Sequence, residues 1–178
     1  LAVLVIDTRV AHSLADGEYG RRRASCERAA HLLGVPQLRD IPIERLPAAL
    51  NRLPDDELRR RVRHVVTEND RVVRTVERLR AGRVTDIGDL LTASHTSLRD
   101  DYDVSCAELD LAVGSAMSAG ALGARMTGGG FGGSVIALVR TELVDTAGAA
   151  ITTAFAENGF TAPVLRSVTP AQGARQEI

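Results

Sequence analysis

Gly123-Ala124-Arg125-Met126-Thr127-Gly128-Gly129-Gly130-Phe131-Gly132-Gly133-Ser134-Val135-Ile136-Ala137-Leu138-Val139 is the stretch from which the architecture can be read. Residues 122–127 and 134–139 carry the β-branched and apolar content of strands, and the glycines between them punctuate the pair. Every residue of 128–133 except Phe131 lacks a Cβ. Such backbone reaches positive φ and brings its amides close to an anion, at a larger entropic cost than an ordinary turn, so the loop is expected to hold something. Gly128, Gly130 and Gly133 formally match G-x-G-x-x-G, but a strand follows where a dinucleotide motif needs the start of a helix, and the Rossmann reading fails. The plain alternative is a floppy hairpin connection. Downstream, residues 143–157 read as a helix and 160–168 as a final strand. Strand, strand, helix, strand is a split βαβ-like order.

Upstream the pattern is helical. Ser105, with Glu108 three residues on, forms a capping box ahead of the stripe Leu109, Ala112, Val113, Ala116 and Met117. Thr85 is read as the cap of a helix through Ile87, Leu90, Leu91 and Leu98. Asp55 or Asp56 caps a long helix in which Leu58, Val62, Val65, Val66, Val72, Val73, Val76 and Leu79 recur every three or four residues before Gly82. Pro36, Pro42, Pro47 and Pro54 restrict the preceding segment to short turns. Residues 18–33 form an amphipathic helix stopped by Gly34, with Cys26, Ala29, Ala30 and Leu33 inward. Residues 1–6 are a continuous apolar run, the pattern of a strand covered on both faces. A buried strand seldom opens a chain, so further residues upstream are expected. Helices and strands come in blocks, which predicts an α+β fold: helices laid on an antiparallel sheet, in one domain over residues 1–178.

A formal charge of −1 from 22 basic and 23 acidic residues offers no net field toward nucleic acid or an anionic membrane, and a small-molecule ligand is the better expectation. All the basic residues are Arg, which removes Walker-A and Schiff-base lysines. Cys26 and Cys106 lack zinc spacing and read as reduced, buried thiols. The run at residues 1–6 is too short to cross a bilayer, and the chain is expected to be soluble and cytoplasmic.

Other groupings weigh toward structural roles. Asp100, Asp101 and Asp103 lack the glycine and distal Glu of a calcium loop and read as solvated or helix-dipole carboxylates. His64 and Glu68, four apart, read as a surface pair more than as metal ligands. His95 beside Ser94 has no nucleophile-elbow context and reads as a helix residue. Arg21, Arg22 and Arg23 read as a solvated helical face more than as a phosphate clamp.

Separate segments then converge on one family. The run Ser94-His95-Thr96-Ser97-Leu98-Arg99-Asp100-Asp101-Tyr102-Asp103-Val104-Ser105-Cys106-Ala107-Glu108-Leu109-Asp110 resembles a characteristic segment of galactokinases. Residues 123–133 resemble their third signature motif, shared more loosely by the GHMP kinase superfamily. His12-Ser13-Leu14, Glu18-Tyr19, Arg21-Arg22-Arg23 and Cys26-Glu27, together with Arg63-His64-Val65-Val66 and Glu68, are similar to two further family stretches.

The resemblance implies the C-terminal, ferredoxin-like GHMP kinase domain, with residues 1–8 a strand shared with an N-terminal domain. It implies phosphoryl transfer from ATP, with Mg2+, to the anomeric hydroxyl of α-D-galactose. By matching position, Tyr19 is the sugar-site tyrosine, and Gly128, Gly129, Gly130, Gly132 and Gly133 are the loop packed beside the phosphates. The catalytic carboxylate and the metal ligands of galactokinases precede the matched region. No catalytic or metal-binding residue is therefore assigned here, the N-terminal half is the implied partner, and the piece alone is expected to be inactive. Many relatives carry a basic residue where this chain has Ala11, with Arg9 nearby. The alternatives are a non-catalytic sugar sensor or interaction module, and a kinase of a related sugar such as N-acetylgalactosamine.

Overall fold

In the computed structural model, which describes residues 1–11, 17–171 and 173, the opening apolar run becomes β1 (Ala2–Asp7), flanked by strands on both edges. The glycine loop joins β2 (Gly123–Thr127) to β3 (Ser134–Val139), and the last strand is β4 (Val164–Val168). The sheet order is β2-β3-β1-β4 and every pair is antiparallel. β1 and β2 thus run in the same direction on either side of β3, the split βαβ arrangement expected of a ferredoxin-like α+β domain.

Period-two alternation sends Leu4, Ile6, Ala124, Met126, Val135, Ala137 and Val139 to one face. There they pack with Leu109, Ala112 and Ala116 of α5 (Ala107–Ser118) and Ala147, Ile151 and Phe155 of α6 (Val144–Glu157). On the opposite face Val3 and Val5 are only half-buried, so β1 is covered on one face within the described residues and not on both as expected. A continuous apolar run reports that a strand is central, but only tertiary neighbours say how many of its faces are covered.

A second apolar cluster joins α1 (Glu18–Leu33), α2 (Leu46–Asn51) and α3 (Asp56–Arg80) through Ala29, Ala30, Leu33, Leu53, Leu58, Val62 and Val66. Asp55 is the cap of α3, its carboxylate accepting from Leu58 N–H at 2.9 Å. The α3 stripe is not buried along its whole length: Val72, Val73, Val76 and Leu79 are exposed, because the helix continues beyond the elements that cover its first turns.

α4 (Gly88–Ser97) lies along the outer edge of β2, at a backbone-to-backbone contact where a Cβ on Gly88 or Gly123 would overlap the other strand of chain. Two expected caps are corrected. Thr85 sits inside a 3₁₀ turn, Val84–Ile87, and its hydroxyl bonds the Asp86 carboxylate. The helix then ends at Ser97 and continues as a π turn, Leu98–Tyr102. At α5 the N-cap is Cys106 without a side-chain bond, and the Ser105 hydroxyl turns to Asp110 at 2.6 Å. A carboxylate in the first turn of the same helix outcompetes the amide for that hydroxyl.

Candidate functional site

The glycine loop is fastened on one side and open on the other. Phe131 N–H donates to the Val104 carbonyl at 2.7 Å, Gly133 N–H to the Val10 carbonyl at 3.2 Å, and the Gly133 carbonyl accepts from the Thr8 amide and hydroxyl at 3.0 and 2.7 Å. Gly128, Gly130, Gly132 and Gly133 take positive φ, and Phe131 is forced to φ 61°. A Cβ on Gly130 would overlap the Val104 carbonyl, and one on Gly132 would lie 2.8 Å from the Val10 carbonyl; on Gly128 or Gly129 it would meet nothing within 4 Å. The glycines therefore do two jobs. Gly130 and Gly132 are buried and permit close approach, whereas Gly128 and Gly129, with Thr127, form an exposed lip. The part of the loop open to a ligand is that lip. Three anchors also make this loop something other than a floppy hairpin connection.

Tyr19 projects from the first turns of α1 and is 65% exposed. It lines a cavity of about 470 Å³ with Cys26, Pro36, Leu38, Val65 and Tyr102. Three residues further along α1, Arg22 turns inward. Its Nε donates to the Tyr102 carbonyl at 2.8 Å and its Nη2 to the Asp103 carbonyl at 2.7 Å; it also pairs with the Glu18 and Asp103 carboxylates. The guanidinium carbon lies 5.8 Å from the centre of the Phe131 ring. The solvated-face reading thus holds for the exposed Arg21 and Arg23 but fails for Arg22, which links the helix bearing Tyr19 to the glycine loop. Three consecutive residues on a helix point some 100° apart and cannot share one face.

Between the two apolar clusters runs a polar seam. His64, read as half of a surface pair, is buried; it stacks on Tyr102 with ring centres 4.4 Å apart and reaches the Ser97 hydroxyl with Nδ1 at 3.0 Å. Ser97 donates onward to Asp101 at 3.0 Å. Burial pushes the imidazole pKa down to about 4. Glu68 accepts from Ser94 at 2.6 Å, Arg71 at 2.7 Å and Arg125 at 3.1 Å. Burial alone would raise its pKa, but these donors hold it below the usual carboxylate range. This side of α3 faces α4 rather than water, which is why the surface-pair expectation fails. Of the three aspartates in and just after the π turn, Asp100 and Asp103 are exposed, as the solvated reading expects, and all three pair with arginines: Asp100 with Arg99, Asp101 with Arg63, and Asp103 with Arg22.

His95 is a helix residue as expected, but a buried one. Its Nε2 meets Asp110 Oδ1 at 3.1 Å, and its Nδ1 accepts a long bond from Met126 N–H at 3.4 Å. Burial lowers the imidazole pKa, opposed by Asp110. Sequence reading missed this arrangement and the Glu68–Arg125 pair. The available signal was Arg125 itself, a charge between apolar strand residues that requires a buried partner. Burial pushes the thiols of Cys26 and Cys106 up, and both are free.

Among the described residues no group of three or more His, Cys, Asp or Glu side chains could hold a metal ion, and no helix is long and apolar enough to cross a membrane. His12, Ser13 and Leu14 lie outside the described residues. Arg9 is exposed, with φ 60°, between the two residues that bond Gly133.

Residues 75–157 match the family model described as the C-terminal domain of GHMP kinases. The chain is 55% identical to a galactokinase of Streptomyces coelicolor over its whole length, covering 46% of that protein. It is 45% identical to a Mycobacterium tuberculosis galactokinase, over 99% of this chain and 48% of the relative. It therefore spans about half the length of the curated relatives it matches. The crystal structure of Lactococcus lactis galactokinase complexed with galactose superimposes with a TM-score of 0.88 at 33% identity, covering 93% of this chain and 44% of that one. A mevalonate kinase of L. major in complex with R-mevalonate, 22% identical with a TM-score of 0.54 over 97% of this chain and 44% of that one, shares the fold.

Proposed function

The chain belongs to the GHMP kinases, where it corresponds to the C-terminal part of galactokinases, and on that premise we propose that it serves in a full-length enzyme that phosphorylates α-D-galactose at the anomeric hydroxyl with ATP. The observation that carries this reading is the glycine loop, anchored through Val104, Val10 and Thr8 with an exposed lip at Thr127, Gly128 and Gly129. A loop held this way presents amides to phosphate without first having to be ordered.

In this reading Tyr19 hydrogen-bonds the sugar, and Arg22 couples its helix to the loop. Arg9, beside Gly133, supplies positive charge near the phosphates where many relatives have a basic residue at the position of Ala11. Phosphoryl transfer is catalysed by positioning and by charge stabilisation, largely with metal ions. The described residues do not fit a magnesium site, so no metal-dependent step is assigned to this chain. The activating carboxylate and metal ligands belong to an N-terminal half, against which β1 and the half-buried face of Val3 and Val5 dock. The enzyme is cytoplasmic.

The test is ADP release by the chain alone and by the full-length protein, with ATP, magnesium and either galactose or N-acetylgalactosamine. Turnover on galactose by the full-length protein only is expected, and Tyr19→Phe should raise the galactose KM about tenfold through a lost hydrogen bond. Turnover by the chain alone would overturn the placement of the catalytic groups. Preference for N-acetylgalactosamine would reassign the substrate, and sugar binding without turnover would make the protein a sensor.

A further inference from the structure

Met126, the last buried residue before the exposed lip, has both its backbone groups held by side chains. Its N–H reaches Nδ1 of His95 at 3.4 Å, and its carbonyl accepts from Nε of Arg125 at 2.9 Å. β2 is the edge strand of the sheet, so on that side no neighbouring strand could satisfy these groups. His95 does so from α4, and its other nitrogen rests on Asp110 Oδ1, which also accepts the Ser105 hydroxyl. The next residue back, Val104, takes the Phe131 amide on its carbonyl. The path from Met126 through His95, Asp110, Ser105 and Val104 to Phe131 therefore closes a ring around residues 127–130.

The geometry also sets the chemistry of the ring. A carboxylate that accepts from Ser105 can only accept from His95 as well, so Nε2 carries the proton. Nδ1 is then left as the acceptor that the Met126 amide needs.

We infer that His95, oriented by Asp110 and Ser105, is a positioning residue for the glycine loop, fixing where the lip of Thr127, Gly128 and Gly129 presents its amides to the nucleotide phosphates. The inference rests on the kinase reading for the identity of the ligand but not for the mechanics of the loop. His95 touches no reacting atom and acts through the Met126 amide.

Two substitutions separate the halves of this arrangement. In His95→Asn the amide oxygen falls near the position of Nδ1 and keeps an acceptor for Met126. In His95→Gln the amide nitrogen falls near Nε2 and keeps only the Asp110 contact. Both are made in the full-length protein, with Ser105→Ala as a milder variant that leaves the imidazole in place. Hydrogen exchange of the peptide spanning residues 124–130 is read alongside the KM values for ATP and galactose.

His95→Gln is expected to speed exchange about tenfold and raise the ATP KM about tenfold, with the galactose KM unchanged. His95→Asn should recover most of both, and Ser105→Ala should give a smaller change in the same direction. Equal effects of Asn and Gln, a parallel rise in both KM values, or unaltered exchange would overturn the inference. Were the wild-type protein to show no kinase activity, the kinase reading would fail, while the exchange contrast between Asn and Gln would still decide the role of His95.

Discussion

The two apolar clusters and the seam between them are built from different materials. On the sheet side Ile6, Leu109, Met126, Ile151 and Phe155 are fully buried against one another, and on the helical side Leu53, Leu58, Val62 and Val66 do the same. Between them stand Arg22, Arg61, His64, Ser94, His95 and Ser97, also buried, each bonded to a carboxylate, carbonyl or hydroxyl from another element, although Nε of Arg61 is left without a partner. Apolar contacts tolerate small slips because they have no direction. Hydrogen bonds between buried polar groups do not tolerate them, since a missed partner leaves a desolvated donor or acceptor. The clusters therefore hold the chain together, while the seam sets the register of α1, α3, α4 and β2 relative to one another. The glycine loop and Tyr19 both hang from elements that meet at that seam.

The contrast is sharpest in stability. Phe155→Ala, at the centre of the sheet cluster, should cost about 4 kcal/mol. Val76→Ala, on the uncovered end of the α3 stripe, should change stability by less than about 0.5 kcal/mol. Urea denaturation of the two variants checks this, and a comparable loss at Val76 would mean that the far end of α3 is covered in solution.

The seam should answer to pH where the clusters do not. His64 has a folded-state pKa of about 4, below its ordinary 6.5, so between these values the unfolded chain binds a proton that the folded chain refuses. Stability from this group is complete above pH 6.5, falls as pH drops from 6.5 to 4, and loses about 3 kcal/mol in all, with no further loss below. His64→Phe, which keeps a ring against Tyr102, should flatten the slope in that window. An unchanged slope would remove His64 as its source.

The smallest contrast lies within the loop. Gly130→Ala places a Cβ against the Val104 carbonyl at φ 90° and should destabilise by about 2 kcal/mol. Gly129→Ala meets open space and should be neutral within about 0.5 kcal/mol. Equal effects would mean that the anchored and open parts of the loop are not distinct.

Much of the architecture was legible because it is local. The bounds of α1, the Asp55 cap, the strands around the glycines and the split βαβ order follow from periodicity and from what Gly, Pro and Asp do to the backbone within a few residues. Several of the failures share a cause. Arg22 turned away from its two arginine neighbours towards Tyr102 and Asp103, and His64 and Glu68 faced α4 instead of water. In each case a partner remote in the chain outweighed the nearest one.

The amino-acid order alone determined that this chain forms helices on an antiparallel sheet and that backbone near Gly128 must adopt conformations closed to other residues, since both depend on neighbours in sequence. Which glycines are anchored and which exposed, and that His95 reaches the edge of β2 beside them, was decided only when the helices docked. A buried polar group takes its partner from whatever element packing brings within 3 Å or so, and sequence distance carries no record of that.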